Sequence, residues 1–94
     1  MTAYLIAEMD VTDPAAYEAY KAAAGDIIAR YGGRYLSRGG RAACLEGEPS
    51  KRVVIVDFAS IDAAERWYQS DEYRAARRLR DGAAKCRLYV VEAL

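Results

Sequence analysis

Residues 60–82 read SIDAAERWYQSDEYRAARRLRDG, and this stretch defines the architecture of the chain more clearly than any other. Ser60 precedes IDAAERWYQ and Ser70 precedes DEYRAARR, and a serine at either place caps a helix by accepting a hydrogen bond from its first amide groups. The acids Asp71 and Glu72 then fall in a first helical turn, where the helix dipole favours negative charge. The segment therefore predicts a short helix, a break at Ser70 and a second helix.

The composition is that of one small folded domain. The 94 residues are 53% hydrophobic and 30% charged, which is enough for a single core, so we expect one domain over residues 1–94. Fourteen basic residues balance fourteen acidic ones, so no overall field attracts nucleic acid or an anionic membrane. No apolar run reaches the roughly 18 residues of a membrane span. The N-terminal MTAYLIAEMD lacks the basic start of a signal peptide, and we expect a cytoplasmic protein that binds neither nucleic acid nor membrane.

The chain contains no histidine, which excludes a histidine-based triad, an imidazole metal ligand and a proximal haem histidine. Cys44 and Cys86 are too few and too far apart for a disulfide scaffold or a cysteine-rich metal site, and we expect two reduced structural thiols. Catalysis in this chain must use carboxylates, Tyr, Arg, Ser or Cys, or borrow from a cofactor. The sequence itself predicts no metal and no cofactor.

The rest of the chain alternates between strand and helix patterns. A long helix begins at Asp13, its N-cap, with Pro14 in the first turn, and ends at Gly32-Gly33. The predicted strands are residues 3–11, 34–38 continuing through 42–46 after a bend at Gly39-Gly40, 51–59 and 86–92. This β-α-β-β-α-β order predicts a ferredoxin-like α+β fold, a four-stranded antiparallel sheet with the first and third strands central and the helices on one face.

The sheet face without helices is predicted to be apolar. The alternation assigns to it Tyr4, Ile6, Val53, Ile55, Leu88 and Val90. Because such a patch is rarely left exposed on a monomer, we expect two chains to pair sheet to sheet as a homodimer.

Three acids, Glu8, Asp57 and Glu92, are assigned to the same face. An acid on such a face must be hydrated, paired or protonated. Asp57 is the candidate catalytic residue, a general base with a raised pKa. The alternative is that these acids lie near strand ends and pair with arginines at the dimer seam.

Several segments carry a family resemblance: AYLIAEMDVTDPAAYEAY, YGGRYLSRGG, LEGEPSKRVVIVDFASIDAAERWYQSDEY, LRDGAA and the closing VVE. The most specific part is the pattern W-Y-x-S-x-E-Y. On these segments the chain resembles the domain-of-unknown-function 1330 family of bacterial proteins, in the dimeric α+β barrel superfamily. The resemblance implies the fold and the dimer, and the superfamily offers a precedent for pockets between sheet and helices, as in cofactor-independent monooxygenases and polyketide cyclases.

Aromatic residues around the helix break are candidates for a binding site. Trp67, Tyr68 and Tyr73 offer aromatic surface and two hydroxyl groups to a ligand. They are equally consistent with the buried face of the two helices, each polar tip finding a partner nearby. Tyr17, on the first helix, is the fourth candidate for shaping a pocket.

Two arginines are candidates for holding an anionic group. Arg80 follows Tyr73 by seven residues, about two helical turns, so the sequence places both on one line beside the apolar face of Ala76, Leu79 and Ala83. Arg38 precedes the Gly39-Gly40 bend, and strand irregularities often redirect a side chain towards a site. An arginine here either clamps a carboxylate or phosphate, or extends into solvent and pairs with an acid.

Two functions remain open at this point. In the first, the protein binds or transforms a small anionic or aromatic metabolite in a pocket between sheet and helices. Arg38 and Arg80 then hold the anion, the four aromatic residues shape the pocket, and Asp57 moves a proton. In the second, the protein is a non-catalytic dimeric binding or regulatory module.

Overall fold

The computed structural model describes residues 1–94, in four strands and three helices. The strands are β1 (Ala3–Val11), β2 (Arg34–Arg38), β3 (Arg52–Phe58) and β4 (Ala84–Glu92), and the helices are α1 (Pro14–Arg30), α2 (Ile61–Gln69) and α3 (Asp71–Arg78). The sheet is antiparallel with the order β2-β3-β1-β4, so β1 and β3 are central as predicted. The ferredoxin-like fold is confirmed, with its second helix divided in two.

The helix starts lie where the sequence places them. Asp13 caps α1 by accepting a hydrogen bond from the amide of Ala16, and Ser60 caps α2 by accepting one from Ala63 at 3.1 Å. Ser70 both ends α2 and caps α3. These side chains satisfy amide groups that a helix start leaves without a partner, and they fix the junction of α2 and α3 to a single residue.

The core lies between the sheet and the helices. From the central strands it takes the alternate residues Leu5, Ala7, Met9, Val54, Val56 and Phe58, and from the helices chiefly Tyr17, Tyr20, Ile27, Ile28, Trp67 and Tyr73. No charged residue is fully buried. The two-residue period of the strands therefore meets the apolar stripes of the helices as the sequence predicts.

The second strand is shorter than the sequence predicts, because it ends at Arg38 and residues 42–46 form no strand. It also contains a bulge: Tyr35 pairs with Val56, but Ser37 already pairs with Ile55. Arg34 lies opposite Asp57 on the open face of the sheet, whereas Arg38 lies opposite the helix-facing Val54. The bulge, which precedes the Gly39-Gly40 bend, thus turns Arg38 to the side of the helices.

The predicted facing of the last strand is wrong. Leu88 and Val90 pair with the core residues Ala7 and Leu5, so both lie on the helix face rather than the open face. The residues of β4 on the open face are instead Lys85, Arg87, Tyr89 and Val91, opposite the outward residues of β1. Both sets contain apolar side chains, and the pairing of Leu88 and Val90 with core residues of β1 decides which set is buried. The exposed set carries the charges of Lys85 and Arg87.

Glu92 follows the same correction. It pairs with Ala3, whose side chain is fully buried on the helix side, so it does not share a face with Glu8 and Asp57. It is the last residue of β4 and is exposed to solvent. Glu92 therefore takes no part in the acidic group that the sequence predicts.

None of the three helices combines the length and the apolar character that crossing a membrane requires.

Candidate functional site

An open cavity of about 720 Å³ lies between the α2–α3 pair and the edge strand β4. This large cavity has Leu88 and Val90 on its sheet side and Trp67, Tyr68, Arg77 and Arg80 on its helix side. Its volume falls in the range of about 300–1,000 Å³ that small-molecule sites occupy. Leu88 and Val90, which the sequence analysis assigned to the open face, therefore form the apolar floor of this cavity.

The helix break positions the aromatic side chains beside this cavity. The Ser70 hydroxyl donates to the Trp67 carbonyl oxygen at 2.8 Å and accepts from the Tyr73 amide at 3.1 Å. This pair of hydrogen bonds brings the Trp67 and Tyr73 rings to a centroid distance of 4.2 Å. One serine thus sets the angle between two short helices and stacks the largest side chains of each.

The four aromatic candidates occupy different environments. Trp67 is 2% exposed and belongs to the core, yet its ring lines the large cavity. Tyr73 is completely buried and does not line the large cavity, and its hydroxyl hydrogen-bonds that of Tyr20 at 2.8 Å. Tyr68 is 40% exposed and lines the large cavity. Tyr17 is a buried residue of α1 itself.

Arg80 reaches the site by a different route from the predicted one. Helix α3 ends at Arg78, and the amides of Leu79, Arg80 and Asp81 bond to carbonyls three residues earlier. This tighter winding, about three residues per turn, rotates side chains away from the α-helical line. Leu79 consequently leaves the predicted apolar face and is 45% exposed, whereas the Arg80 guanidinium lies 5.3 Å from the Tyr20 ring centroid.

The surroundings of Arg80 keep it charged. Burial by itself disfavours the cation, but the adjacent hydroxyls of Tyr73 and Tyr20 outweigh this and raise the pKa of Arg80 above its ordinary value. Burial, with Tyr73 as the next cause, raises the pKa of Tyr20, so its hydroxyl stays neutral at physiological pH. No carboxylate forms an ion pair with Arg80. The Arg80 Nε and the Trp67 Nε1 are both buried without a hydrogen-bond partner in the protein.

A second arginine, Arg77, also lines the large cavity and was not singled out in the sequence. Its guanidinium lies 4.3 Å from the Tyr68 ring centroid and 5.9 Å from that of Tyr73. Cation–π contacts of this kind hold a guanidinium in place without neutralising it. The large cavity therefore combines an apolar floor, aromatic walls and two arginines without carboxylate partners.

A separate small cavity of about 40 Å³ lies under α1, between the helix and the sheet. Tyr17, Tyr35, Arg38 and Arg52 line it, and Leu5, Trp67 and Leu88 form a wall common to both cavities. The Tyr17 hydroxyl donates to the Met9 sulfur. The sequence-predicted ligand residues are therefore divided: Arg38 and Tyr17 line the small cavity, Tyr68 and Arg80 the large one, and Trp67 both.

Asp57 lies on the opposite face of the sheet from both cavities. Its carboxylate binds the Arg34 guanidinium at 2.8 Å. Glu8, on the same face, accepts hydrogen bonds from Ser50, Arg87 and Tyr89. Each of these carboxylates has an internal partner, and neither touches a residue of the large cavity's helix side.

Sequence reasoning missed Arg52, Tyr20 and Arg77. Arg52 begins β3, where a basic residue reads as a solvent-exposed strand end, yet its side chain packs towards Tyr17. One sequence signal was available for the small cavity: Gly25 interrupts the interior of α1, at a cost of up to about 1 kcal/mol relative to alanine. Its lack of a side chain makes room for Arg38.

No group of three or more Cys, Asp or Glu side chains is arranged to hold a metal ion. Both cysteines are free thiols: Cys44 is exposed in the β2–β3 connection, and Cys86 is partly buried at the large cavity. Burial raises the pKa of the Cys86 thiol, an effect that Arg80 opposes.

Solved structures with the same architecture place the protein among small ferredoxin-like α+β domains. A protein of unknown function from Rhodopseudomonas palustris is 24% identical, with a TM-score of 0.76 over 99% of this chain and 82% of that one. SnoaB, a cofactor-independent oxygenase from Streptomyces nogalater, is 14% identical, with a TM-score of 0.67 over 99% and 93% of the two chains. A dimeric protein of unknown function and ferredoxin-like fold from Bacteroides fragilis is 13% identical, with a TM-score of 0.68 over 98% and 96%.

The family is shown directly by the sequence. The profile of the Domain of unknown function (DUF1330) family matches residues 2–94, and the chain belongs to this family. No curated protein matches the sequence significantly. The predicted family and fold are thus confirmed.

Proposed function

We propose that this protein binds a small aromatic or apolar carboxylic acid in the large cavity, with Arg80 holding the carboxylate. The observation that carries the proposal is the partly buried guanidinium of Arg80, which lines a cavity of about 720 Å³ and has no carboxylate partner in the chain. A desolvated cation gains most from a complementary anion, and a guanidinium matches a carboxylate with two parallel hydrogen bonds. Arg77, beside it in the same wall, adds a second positive charge.

The remainder of the cavity favours an aromatic or apolar body on that acid. Trp67 and Tyr68 form one wall, and Leu88 and Val90 form the floor. Such a surface is desolvated at little cost by a planar ring. Besides the two arginines, Tyr68, Gln69 and Tyr89 line the cavity and supply hydrogen-bonding groups for polar substituents on the acid.

Binding without catalysis is the form of this function that we favour. Asp57 is remote from the cavity and paired with Arg34, so we assign it no proton transfer. The carboxylates that do line the cavity, Glu65 and Asp81, are solvent-exposed, and we assign neither of them a proton transfer. The likeness to SnoaB concerns the fold at 14% identity, and the oxygenase activity belongs to that protein.

The assembly in this proposal is a homodimer formed through the open sheet face. Tyr89, Val91 and Leu36 are each about half exposed there, at 52%, 51% and 49%. Two carboxylates of this face, Asp57 and Glu8, are already paired with arginines, which reduces the unmatched charge that two copies would bring together. The dimeric Bacteroides fragilis protein of the same fold supports a dimer. We also place the protein in the cytoplasm, where both free thiols remain reduced.

The binding proposal is tested by thermal unfolding with and without benzoate at constant ionic strength. A ligand that binds only the folded state raises the midpoint in proportion to its occupancy. We expect benzoate to stabilise the wild type, and Arg80→Gln to remove most of that shift relative to its own ligand-free midpoint. Arg66→Gln is the matched control, since Arg66 is an exposed residue of α2 outside the cavity. An equal benzoate shift in both variants, or none in the wild type, overturns the proposal.

The assembly is tested by sedimentation equilibrium of the wild type and of Ile55→Lys. Ile55 lies on the open face in the central strand β3, so a lysine there places an unpaired charge inside the proposed interface. We expect a dimer for the wild type and a folded monomer for the variant. A monomeric wild type contradicts the proposed homodimer and leaves the cavity proposal standing.

A further inference from the structure

The small cavity under α1 has a feature that the proposed function does not use, a pair of arginines at its mouth. Arg38 lies opposite Val54 on the helix face of the sheet, and Arg52 precedes Val54 by two residues on the same face. The two arginines are therefore diagonal neighbours on adjacent strands, a spacing at which long side chains reach one another. Both line the small cavity together with Tyr17 and Tyr35.

Neither arginine is neutralised within the chain. The ion pairs of the protein involve other residues, and the cavity's third cation, Lys21, already binds Glu18 at 3.0 Å. Asp26 is the acid that acts on this region electrostatically, but it is exposed and forms no ion pair with either arginine. Arg38 is exposed and Arg52 is half-buried. Two neighbouring like charges repel one another unless an anion lies between them.

The tyrosines of the cavity do not supply that negative charge. Burial raises the pKa of Tyr17 and of Tyr35, although Arg52 and Arg38 respectively oppose this effect. Both phenols therefore remain neutral at physiological pH, and the Tyr17 hydroxyl already donates its hydrogen to the Met9 sulfur. The Arg38 guanidinium lies 4.5 Å from the Tyr35 ring centroid and that of Arg52 lies 5.7 Å from the Tyr17 centroid, so the rings orient the cations without balancing them.

Two glycines make room for the guanidinium groups. A Cβ atom at Gly25 would lie 2.9 Å from Nη2 of Arg38, and one at Gly39 would meet the Arg52 guanidinium more closely still. Gly39 also has a φ of +69°, which disfavours other residues. Gly25 is helical and gains nothing from its backbone freedom, so accommodation of Arg38 is the structural reason for it. Each arginine thus occupies a place that a neighbouring glycine keeps open.

The cavity's volume of about 40 Å³ limits what fits between these groups. That space holds about three water molecules, hence one small polar group and no ring. The Nε of Arg52 is buried without a hydrogen-bond partner in the protein, so the chain leaves this donor of the guanidinium unsatisfied.

We infer that the small cavity is an oxyanion site, in which Arg38 and Arg52 together hold one phosphate or carboxylate group. The site is distinct from the Arg80 site and does not depend on it, because the two cavities share only the apolar wall formed by Leu5, Trp67 and Leu88. The oxyanion is either a free inorganic ion or the terminal group of a larger molecule whose remainder extends out of the mouth.

The experiment is isothermal titration of the full chain with inorganic phosphate and, separately, with phenyl phosphate, at constant ionic strength with chloride as the background anion. Saturable binding of phosphate itself identifies a free-ion site, and binding of phenyl phosphate alone identifies the terminal group of a larger ligand. We expect Arg38→Gln and Arg52→Gln each to weaken the binding about tenfold or more, since each removes a charge-assisted hydrogen bond. Arg78→Gln, an exposed arginine in neither cavity, is expected to bind like the wild type.

A second variant guards against indirect effects. Gly25→Ala improves the helix propensity of α1 and leaves both arginines in the chain, yet its methyl group displaces the Arg38 guanidinium. We expect it to remain folded and to lose phosphate affinity. Arg80→Gln separates this inference from the proposed function, because it should retain the phosphate response. Absence of binding by either phosphate compound, or binding that Arg38→Gln and Arg52→Gln leave unchanged, overturns the inference.

Discussion

The two faces of the sheet handle charge in opposite ways. On the open face the carboxylates have partners within the chain: Asp57 binds Arg34, Glu8 binds Arg87, and Asp10 accepts a hydrogen bond from the Lys51 amide at 2.8 Å. On the helix-covered face, four arginines lie over aromatic rings and none has a carboxylate partner; they are Arg38, Arg52, Arg77 and Arg80.

This difference in charge pairing is the reason for expecting the binding site on the helix-covered face and a contact surface on the open face. Exposed ion pairs contribute little to stability and leave no demand for an external partner. Arg52, Arg77 and Arg80 are partly buried against rings, and a guanidinium in such a place gains more from an added anion than one in bulk solvent does. Ligand binding is therefore expected on the helix side, and the open side is suited to a neutral contact with a second copy.

The largest predicted effect on stability concerns Trp67, at the centre of the helix-covered face. It is 2% exposed and packs on Tyr73 and Phe58 with ring centroids 4.2 and 5.8 Å away. We expect Trp67→Ala to lower the free energy of unfolding by about 3–5 kcal/mol. Chemical denaturation measures this loss. The adjacent Tyr68, 40% exposed, is the control, and a loss for Tyr68→Ala as large as that for Trp67→Ala would contradict the assignment of Trp67 to the core.

The next effect is a dependence on alkaline pH from the buried Tyr20. Its folded-state pKa is raised, chiefly by burial and then by Tyr73, whereas in the unfolded chain it titrates near the ordinary value of 10.0. The stability that this neutral phenol provides is thus complete below pH 10. It falls above pH 10, where only the unfolded state loses the proton, by about 1.4 kcal/mol per pH unit.

Tyr20→Phe provides the comparison for that prediction. The variant loses the hydrogen bond to Tyr73, about 1 kcal/mol, at every pH, but its stability should fall less steeply above pH 10 than that of the wild type. Denaturant midpoints measured between pH 8 and pH 11 give both slopes. Parallel curves would mean that Tyr20 ionises equally in both states.

The smallest effect belongs to the open face. The Asp57 side chain is 19% exposed, but its partner Arg34 is 75% exposed, so the ion pair is largely solvent-screened. We expect Asp57→Asn to change the free energy of unfolding by no more than about 1 kcal/mol, and Arg34→Gln to behave alike. The benzoate shift of both variants should equal that of the wild type. Loss of benzoate binding in Asp57→Asn would mean that Asp57 takes part in ligand binding, which would contradict the assignment of binding to the helix-covered face alone.

The sequence carries most of the fold because its local signals agree with one another. Asp13, Ser60 and Ser70 each cap the helix that the apolar spacing also predicts. Strand β4 is the exception. Apolar residues point to both of its faces, and only the pairing with β1 decides which of them are buried. The floor of the large cavity depends on that long-range pairing.

The site was less accessible to sequence reasoning for a similar reason. Arg38 reaches the helix face because of a bulge between Tyr35 and Ser37. The bulge is a feature of the pairing with β3, and no local pattern in RYLSR predicts it. Arg80 was selected for a continuous helix, but it reaches the site from the turn after α3. In both cases the residue type indicated a candidate site residue. The backbone irregularities that bring Arg38 to the small cavity and Arg80 to the large one come from tertiary structure.

The central claim, that Arg80 holds an anion in the large cavity, is tested most directly through Trp67. It is the only tryptophan of the chain, so its indole N–H gives a single resolved signal, and its residue lines the cavity while the N–H itself has no partner in the protein. During titration with benzoate we predict a saturable shift of that signal in the wild type and in Arg66→Gln, and its loss in Arg80→Gln. An indole signal that does not move in the wild type, or that moves equally in Arg80→Gln, would contradict the claim.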